Sequence, residues 1–166
     1  MYHADFSPVG LLVQDGKQVA PLNLAEGKGN FFLKPNGVFM LDKNGAQVVE
    51  ASAYAARAQD VRLATQSGPM LVINGMIHPA FSPDSISRFV RNGVCVVDGK
   101  VIFVISNYPV NFYALAAYMR DGMHCRNALY FDGSVSSMYA RAGLARRRCA
   151  AGPDHRGREV IRLAGV

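Results

Sequence analysis

The 166-residue chain lacks any long apolar run; stretches such as Val101–Ile105 stop at about five residues, whereas a membrane-spanning helix needs ~20. Its opening, Met1-Tyr2-His3-Ala4-Asp5, has neither a basic nor an apolar region, so no signal peptide is legible there. Charge is sparse: at 18% Asp, Glu, Lys and Arg, a disordered, solvating chain is excluded. Cysteine is scarce too. Cys95, Cys125 and Cys149 are odd in number and form no C-x-x-C pair, which argues against both a disulfide framework and a zinc site. His3, His78, His124 and His155 are scattered, with no i, i+4 pair to put two imidazoles on one helix face. No metal and no cofactor is therefore expected. Half of the residues are apolar, enough for a buried core, and the length suits one globular domain on a prior of ~100–200 residues.

The net charge of +6 is unevenly placed. Residues 1–140 hold 11 Lys and Arg against 10 Asp and Glu, whereas residues 141–166 hold seven Arg against Asp154 and Glu159. The basic stretch from Arg141 has no clear helical or strand period and no Phe, Tyr or Trp. It can attract phosphate backbones without sequence preference, but it has no aromatic platform for bases. Specific nucleic-acid binding is not expected. The chain is divided accordingly into a domain over 1–140 and an Arg-rich tail over 141–166 that adds little to the fold.

What the sequence has in abundance is turn dipeptides between short β-rich runs. Asp15-Gly16, Asn36-Gly37, Asn44-Gly45, Asn74-Gly75, Asn92-Gly93 and Asp98-Gly99 all supply the positive-φ residues of tight hairpins. Around them lie Val9–Val13, Phe31–Leu33, Val38–Leu41, Met70–Ile73, Val94–Val97 and Val101–Ile105. These runs are nearly continuous in apolar character, which predicts strands covered on both faces. Helical signals are fewer. Ser52–Ala58 is a short Ala-rich candidate. A stronger helix starts near Pro109, with Phe112, Leu115, Ala116 and Met119 at i, i+3, i+4, i+7 and Gly122 as a stop. The expected fold is α+β: a largely antiparallel or mixed sheet built from hairpins, with one or two covering helices.

Two motif-like stretches do not hold. Gly10 to Lys17 has five residues between its glycines, and no Ser or Thr follows the lysine, so it is a hairpin rather than a phosphate loop. Gly133-Ser134-Val135 has valine where a nucleophile elbow needs serine.

Three segments carry polar chemistry at strand ends. In the first, Gln66 and Ser67 close a strand and Gly68-Pro69 bends the chain before Met70–Ile73. Such groups suit sugar hydroxyls, or else satisfy their own backbone. In the second, Arg88 and Arg91 stand three apart before Asn92-Gly93-Val94; guanidinium groups there can grip a phosphate or carboxylate in bidentate fashion. An arginine leading into a core strand needs an anionic partner, either an internal Asp or a substrate phosphate. The third is Ala128-Leu129-Tyr130-Phe131-Asp132-Gly133-Ser134-Val135-Ser136-Ser137. There an apolar strand, with Leu129 and Phe131 expected in the core, presents a carboxylate at its end. Backbone N–H groups and hydroxyls that could hold an anion follow.

In order and spacing these segments resemble the phosphodiester glycosidase family, whose members include the domain that uncovers mannose 6-phosphate in mammals and bacterial relatives linked to exopolysaccharide. The matching residues are Gln66-Ser67-Gly68-Pro69, Arg91-Asn92-Gly93-Val94 with Asp98-Gly99, and Asp132-Gly133-Ser134-Val135-Ser136-Ser137, preceded by the hairpin Pro8-Val9-Gly10-Leu11 with Asp15-Gly16. The segment Asn30-Phe31-Phe32-Leu33-Lys34-Pro35-Asn36-Gly37 is similar to one in the bacterial subgroup. Cys95 stands where the family usually has glycine, and Ser134 replaces the second glycine of its Asp-Gly-Gly motif. The family pattern also begins upstream of Met1, so a truncated N-terminus is expected. An extracytoplasmic location would follow if an exported segment precedes it.

The resemblance implies hydrolysis of a sugar 1-phosphate diester or phosphosugar polymer at the glycosidic bond. Asp132 and Arg91 would be catalytic. Gln66, Ser67, Gly68, Arg88, Asn92, Gly133, Ser134, Ser136 and Ser137 would bind substrate. The alternative is a non-catalytic phosphosugar- or polysaccharide-binding module, or an inactive fragment.

Overall fold

Three of the turn dipeptides fold the chain back as their chemistry requires. Asp15 and Gly16 have φ of 48° and 76°, Asn74 and Gly75 of 50° and 84°, and Asp98 and Gly99 of 50° and 72°. Two successive left-handed residues give a two-residue hairpin the twist of its flanking strands. The structure, a computed structural model, describes residues 3–56, 60–131 and 160–164. The chain divides into two compact units, Met1–Met70 and Leu71–Val166.

In the first unit five strands form one sheet. They are β1 (Leu12–Gln14), β2 (Lys17–Ala20), β3 (Gly37–Asp42), β4 (Gly45–Glu50) and β5 (Leu63–Ser67), in the order β2-β1-β5-β3-β4. Their pairings are antiparallel. The short helix α1 (Ala51–Ala55) follows β4 directly and buries Ala51 and Tyr54. These join Leu11, Val13, Val38, Met40, Val49, Val61 and Ala64 in one core.

The second sheet contains β6 (Met70–Ile73), β7 (Met76–Ile77), β8 (Asn92–Val97), β9 (Lys100–Ser106), β10 (Ala128–Tyr130) and β11 (Val160–Ala164), in the order β11-β9-β8-β10-β6-β7. The pairings β6–β7, β8–β9, β8–β10 and β9–β11 are antiparallel. All three residues of β10 are buried, as are Met70, Leu71 and Val72 of β6 and Gly93, Val94 and Cys95 of β8. Each buried Leu or Val contributes roughly 1.5–3 kcal/mol, so these strands anchor the unit. β9 instead alternates buried and half-buried residues, so two-sided burial holds for only part of the expected set.

The helix expected near Pro109 is α2 (Phe112–Ala117), continued by a π-helical turn over Tyr118–Gly122. Asn111 caps it: its Oδ1 accepts from the Ala114 N–H at 2.8 Å. Its Nδ2 donates to the carbonyls of Pro83 and Ser85, each at 3.0 Å. One side chain thus starts the helix and ties down the loop that leads to Arg91. Leu115, Ala116 and Met119 are buried, as their spacing predicts.

Several expectations change. Phe31–Leu33 is not a strand; Asn30–Phe32 forms a 3₁₀ turn. Asn36-Gly37 and Asn92-Gly93 are not hairpin turns. Asn36 is buried with its Nδ2 donating to the Phe31 carbonyl, and Gly37 and Asn92 begin β3 and β8. Gly93 lies inside β8 because β10 and the core crowd it. A Cβ there would meet the Leu129 carbonyl oxygen at 3.0 Å and Leu71 Cδ1 at 2.9 Å, a close approach that glycine alone allows. Phe131, expected in the core, is half-buried. Cys95 and Cys125 form a disulfide, although the odd cysteine count argued against a framework. Finally, Val160–Ala164 lies in the Arg-rich stretch yet pairs with β9 over five residues. No local period announces that strand; its partner β9 supplies the hydrogen bonds. Mostly antiparallel sheets with short helices place both units loosely in the α+β class. No helix among the described residues is long and apolar enough to cross a membrane.

Candidate active site

Arg91 stands immediately before β8 and is 2% exposed. Its backbone continues the β8–β9 ladder, with the Ser106 N–H donating to the Arg91 carbonyl at 2.8 Å. The Arg91 N–H donates to Ser106 Oγ at 3.0 Å. The side chain turns into a cage of backbone and aromatic rings. Nε donates to the Val110 carbonyl at 3.0 Å, and Nη2 donates to the Ser87 carbonyl and hydroxyl at 3.3 and 3.4 Å. The guanidinium carbon lies 3.6 Å from the centre of the Phe112 ring, 5.3 Å from Phe89 and 5.7 Å from Tyr130. A cation stacked on a ring in a dry site gains ~2 kcal/mol or more. Burial pulls the guanidinium pKa below its ordinary value, while the charge and hydrogen bond of the Tyr130 hydroxyl oppose that shift.

Among the described residues this cage supplies no opposite formal charge. Among the described residues the ion pairs are Lys43–Asp60 at 3.9 Å and Arg120–Asp121 at 2.7 Å, and neither involves Arg91. A buried charge without a counter-ion is costly, so this position favours an anion, whether a carboxylate of the chain or a ligand.

The aromatic cage extends away from Arg91. Phe112 meets Tyr130 edge-on at 4.9 Å, and Phe81 stacks on Phe112 at 4.9 Å. His78 stacks on Phe81 at 4.7 Å, and its Nδ1 accepts from the Ala80 N–H at 3.1 Å. His78 therefore belongs to the packing behind Arg91. Sequence reasoning missed this row. Phe112 fits a core period and Tyr130 a core strand, and neither pattern shows that the ring faces a cation.

Gln66 and Ser67 are buried at the end of β5. The Gln66 Oε1 accepts from the N–H groups of Leu11 at 3.0 Å and Asn23 at 2.9 Å, and its Nε2 donates to the Asn23 carbonyl at 2.7 Å. This amide ties β5 to the two chain segments that flank the first hairpin. Gly68 follows, joined to Pro69 by a cis bond. A Cβ on Gly68 would sit 2.7 Å from the Phe31 carbonyl oxygen, so glycine is required there. Gly10 is constrained similarly, because a Cβ would run into Gln66 Oε1. Arg88 and Asn92 are half-buried. Asp132, Gly133, Ser134, Ser136 and Ser137 lie outside the described residues. The structure thus assembles the surroundings of Arg91 in the second unit and those of Gln66 in the first.

A cavity of about 520 Å³ in the first unit, lined in part by Asp15, Tyr54, Asp60 and Arg62, contains none of the residues expected from sequence. Among the described residues no group of three or more His, Cys, Asp or Glu forms a metal-binding cluster.

A model of the phosphodiester glycosidase family matches residues 1–164, which takes in the Arg-rich stretch. An uncharacterized protein of Escherichia coli K12, YigE, is 38% identical over 144 residues, covering 86% of this chain and 56% of that protein. The catalytic domain of zebrafish N-acetylglucosamine-1-phosphodiester alpha-N-acetylglucosaminidase, auto-inhibited by its pro-peptide, superimposes with a TM-score of 0.59 at 15% identity. That match covers 100% of this chain and 61% of the zebrafish chain. At that identity the likeness is one of fold. The chain spans somewhat over half the length of both relatives.

Proposed function

The chain belongs to the phosphodiester glycosidase family, and from that premise we propose that it hydrolyses the glycosidic bond of a sugar 1-phosphate diester. The products are a free sugar and a phosphomonoester. The observation that carries this reading is the buried Arg91 guanidinium, which has no ion pair among the described residues. It favours an anion, and the phosphate of such a substrate is one.

As the bond between the anomeric carbon and oxygen breaks, its electron pair passes to the phosphate oxygen. That leaving group is already a weak base, so it needs little protonation. It does need charge stabilisation, which Arg91 supplies, with Arg88 as a second cation. A carboxylate is needed on the sugar side, and Asp132 takes that role. It either accepts the proton of the attacking water or attacks the anomeric carbon before water does. Ser136 and Ser137, with the backbone at Gly133 and Ser134, bind phosphate oxygens or sugar hydroxyls, together with Asn92. Gln66 acts through the backbone segments that its amide ties. No metal is invoked, and turnover is expected to survive EDTA.

Turnover of a chromogenic sugar phosphodiester by the whole chain tests the proposal. Release of sugar that Asp132→Asn abolishes supports it. Tight binding of the phosphosugar without turnover would instead make the protein a binding module.

A further inference from the structure

Phe89 differs from the other rings around Arg91. Tyr130 is buried and Phe112 is half-buried, but Phe89 is 53% exposed. Phe89 is thus the most solvent-exposed ring around the buried guanidinium. The backbone holds the ring in place through a two-way pairing: the Phe89 N–H donates to the Val110 carbonyl at 3.1 Å, and the Val110 N–H returns to Phe89 at 2.8 Å.

The next pairing along the ladder is Arg91 with Ser106. Between the isolated bridge at Phe89 and the start of β8 at Asn92, the chain passes from the exposed Phe89 to the buried Arg91.

We infer that Phe89 is a specificity-determining residue of this site: its exposed ring carries the apolar face of the sugar whose phosphate Arg91 holds. The inference rests on the phosphate reading of Arg91 proposed above. A pyranose presents C–H groups on its faces and hydroxyls around its rim. An aromatic ring covers such a face without demanding hydrogen bonds, and its negative π-face attracts the C–H dipoles. With its centre 5.3 Å from the guanidinium carbon, the Phe89 ring is within reach of a sugar attached directly to the bound phosphate. Phosphate alone gains nothing from that surface.

Calorimetric titration of the whole chain with glucose, mannose and N-acetylglucosamine 1-phosphates, and with inorganic phosphate, tests this. At least one sugar phosphate should bind more tightly than inorganic phosphate. Phe89→Ala should weaken that sugar phosphate roughly two- to tenfold more than it weakens inorganic phosphate. Phe89→Tyr should restore the preference. An equal loss toward both ligands in Phe89→Ala would mean that Phe89 acts only by supporting Arg91, and the inference fails while the phosphate reading stands. An undiminished sugar preference in that variant also overturns it. Wild-type protein that binds none of the four overturns the phosphate reading and the inference with it.

Discussion

The guanidinium carbon of Arg91 lies 3.6 Å from the centre of the Phe112 ring, so the first side chain of α2 is a seat for the cation that precedes β8. Asn111 fixes where α2 begins. The helix cap therefore also determines the height of the ring beneath the arginine.

Replacing Phe112 separates ring from bulk. Phe112→Leu keeps most of the apolar volume and removes the π-face. It should cost ~1–2 kcal/mol in urea unfolding, whereas Phe112→Tyr should stay near wild type. A leucine variant as stable as wild type would show that the stacking adds nothing.

Arg91 and Asp132 should fail in different ways. Asp132→Asn keeps shape and hydrogen-bonding reach but removes the charge. It should abolish measurable turnover of the sugar phosphodiester while sugar phosphate still binds. Arg91→Lys should lose both binding and rate, because an ammonium cannot reproduce the donor fork. A rate loss of ~10²–10³ is typical when one charge-stabilising donor is removed. An Asp132→Asn variant of near-normal rate would take Asp132 out of the chemistry.

Gln66→Leu tests the tie beneath β5. Its Oε1 serves the N–H groups of Leu11 and Asn23, and leucine would leave both without that acceptor. At ~1–3 kcal/mol for an unsatisfied buried donor, with the Leu11 N–H buried and the Asn23 N–H only half-buried, unfolding free energy should fall by at least ~1–3 kcal/mol. A change below ~0.5 kcal/mol would show that water or other groups satisfy those donors.

The Cys95–Cys125 bridge closes a loop with a sequence separation of 30. Chain entropy then predicts that reduction lowers stability by ~3–4 kcal/mol. Melting with and without reductant measures it. An unchanged Tm, together with alkylation of both cysteines in untreated protein, would show that the bridge does not form.

Much of the strand framework could be read from neighbouring residues. Asp15-Gly16, Asn74-Gly75 and Asp98-Gly99 dictate turns because left-handed backbone is a property of one or two residues. The run Ala128-Leu129-Tyr130 gave a buried strand because its apolar character is unbroken. α2 followed from the spacing of Leu115, Ala116 and Met119. Where a dipeptide misled, a distant segment had the stronger claim: Asn92-Gly93 lies within a strand because β10 packs against Gly93.

The site divides in the same way. Sequence alone placed a cation at Arg91 and polar groups at Gln66 and Ser67, and its motifs pointed to a family that the comparisons bear out. Only the tertiary structure decided what those side chains touch. Val110 and Phe112, about twenty residues along the chain, and Tyr130 further on determine that Arg91 is caged by rings and backbone. Leu11, fifty-five residues away, determines that the Gln66 amide serves the fold. Hydrogen-bond satisfaction and charge burial are settled by whichever groups the chain brings together, and linear order does not record that.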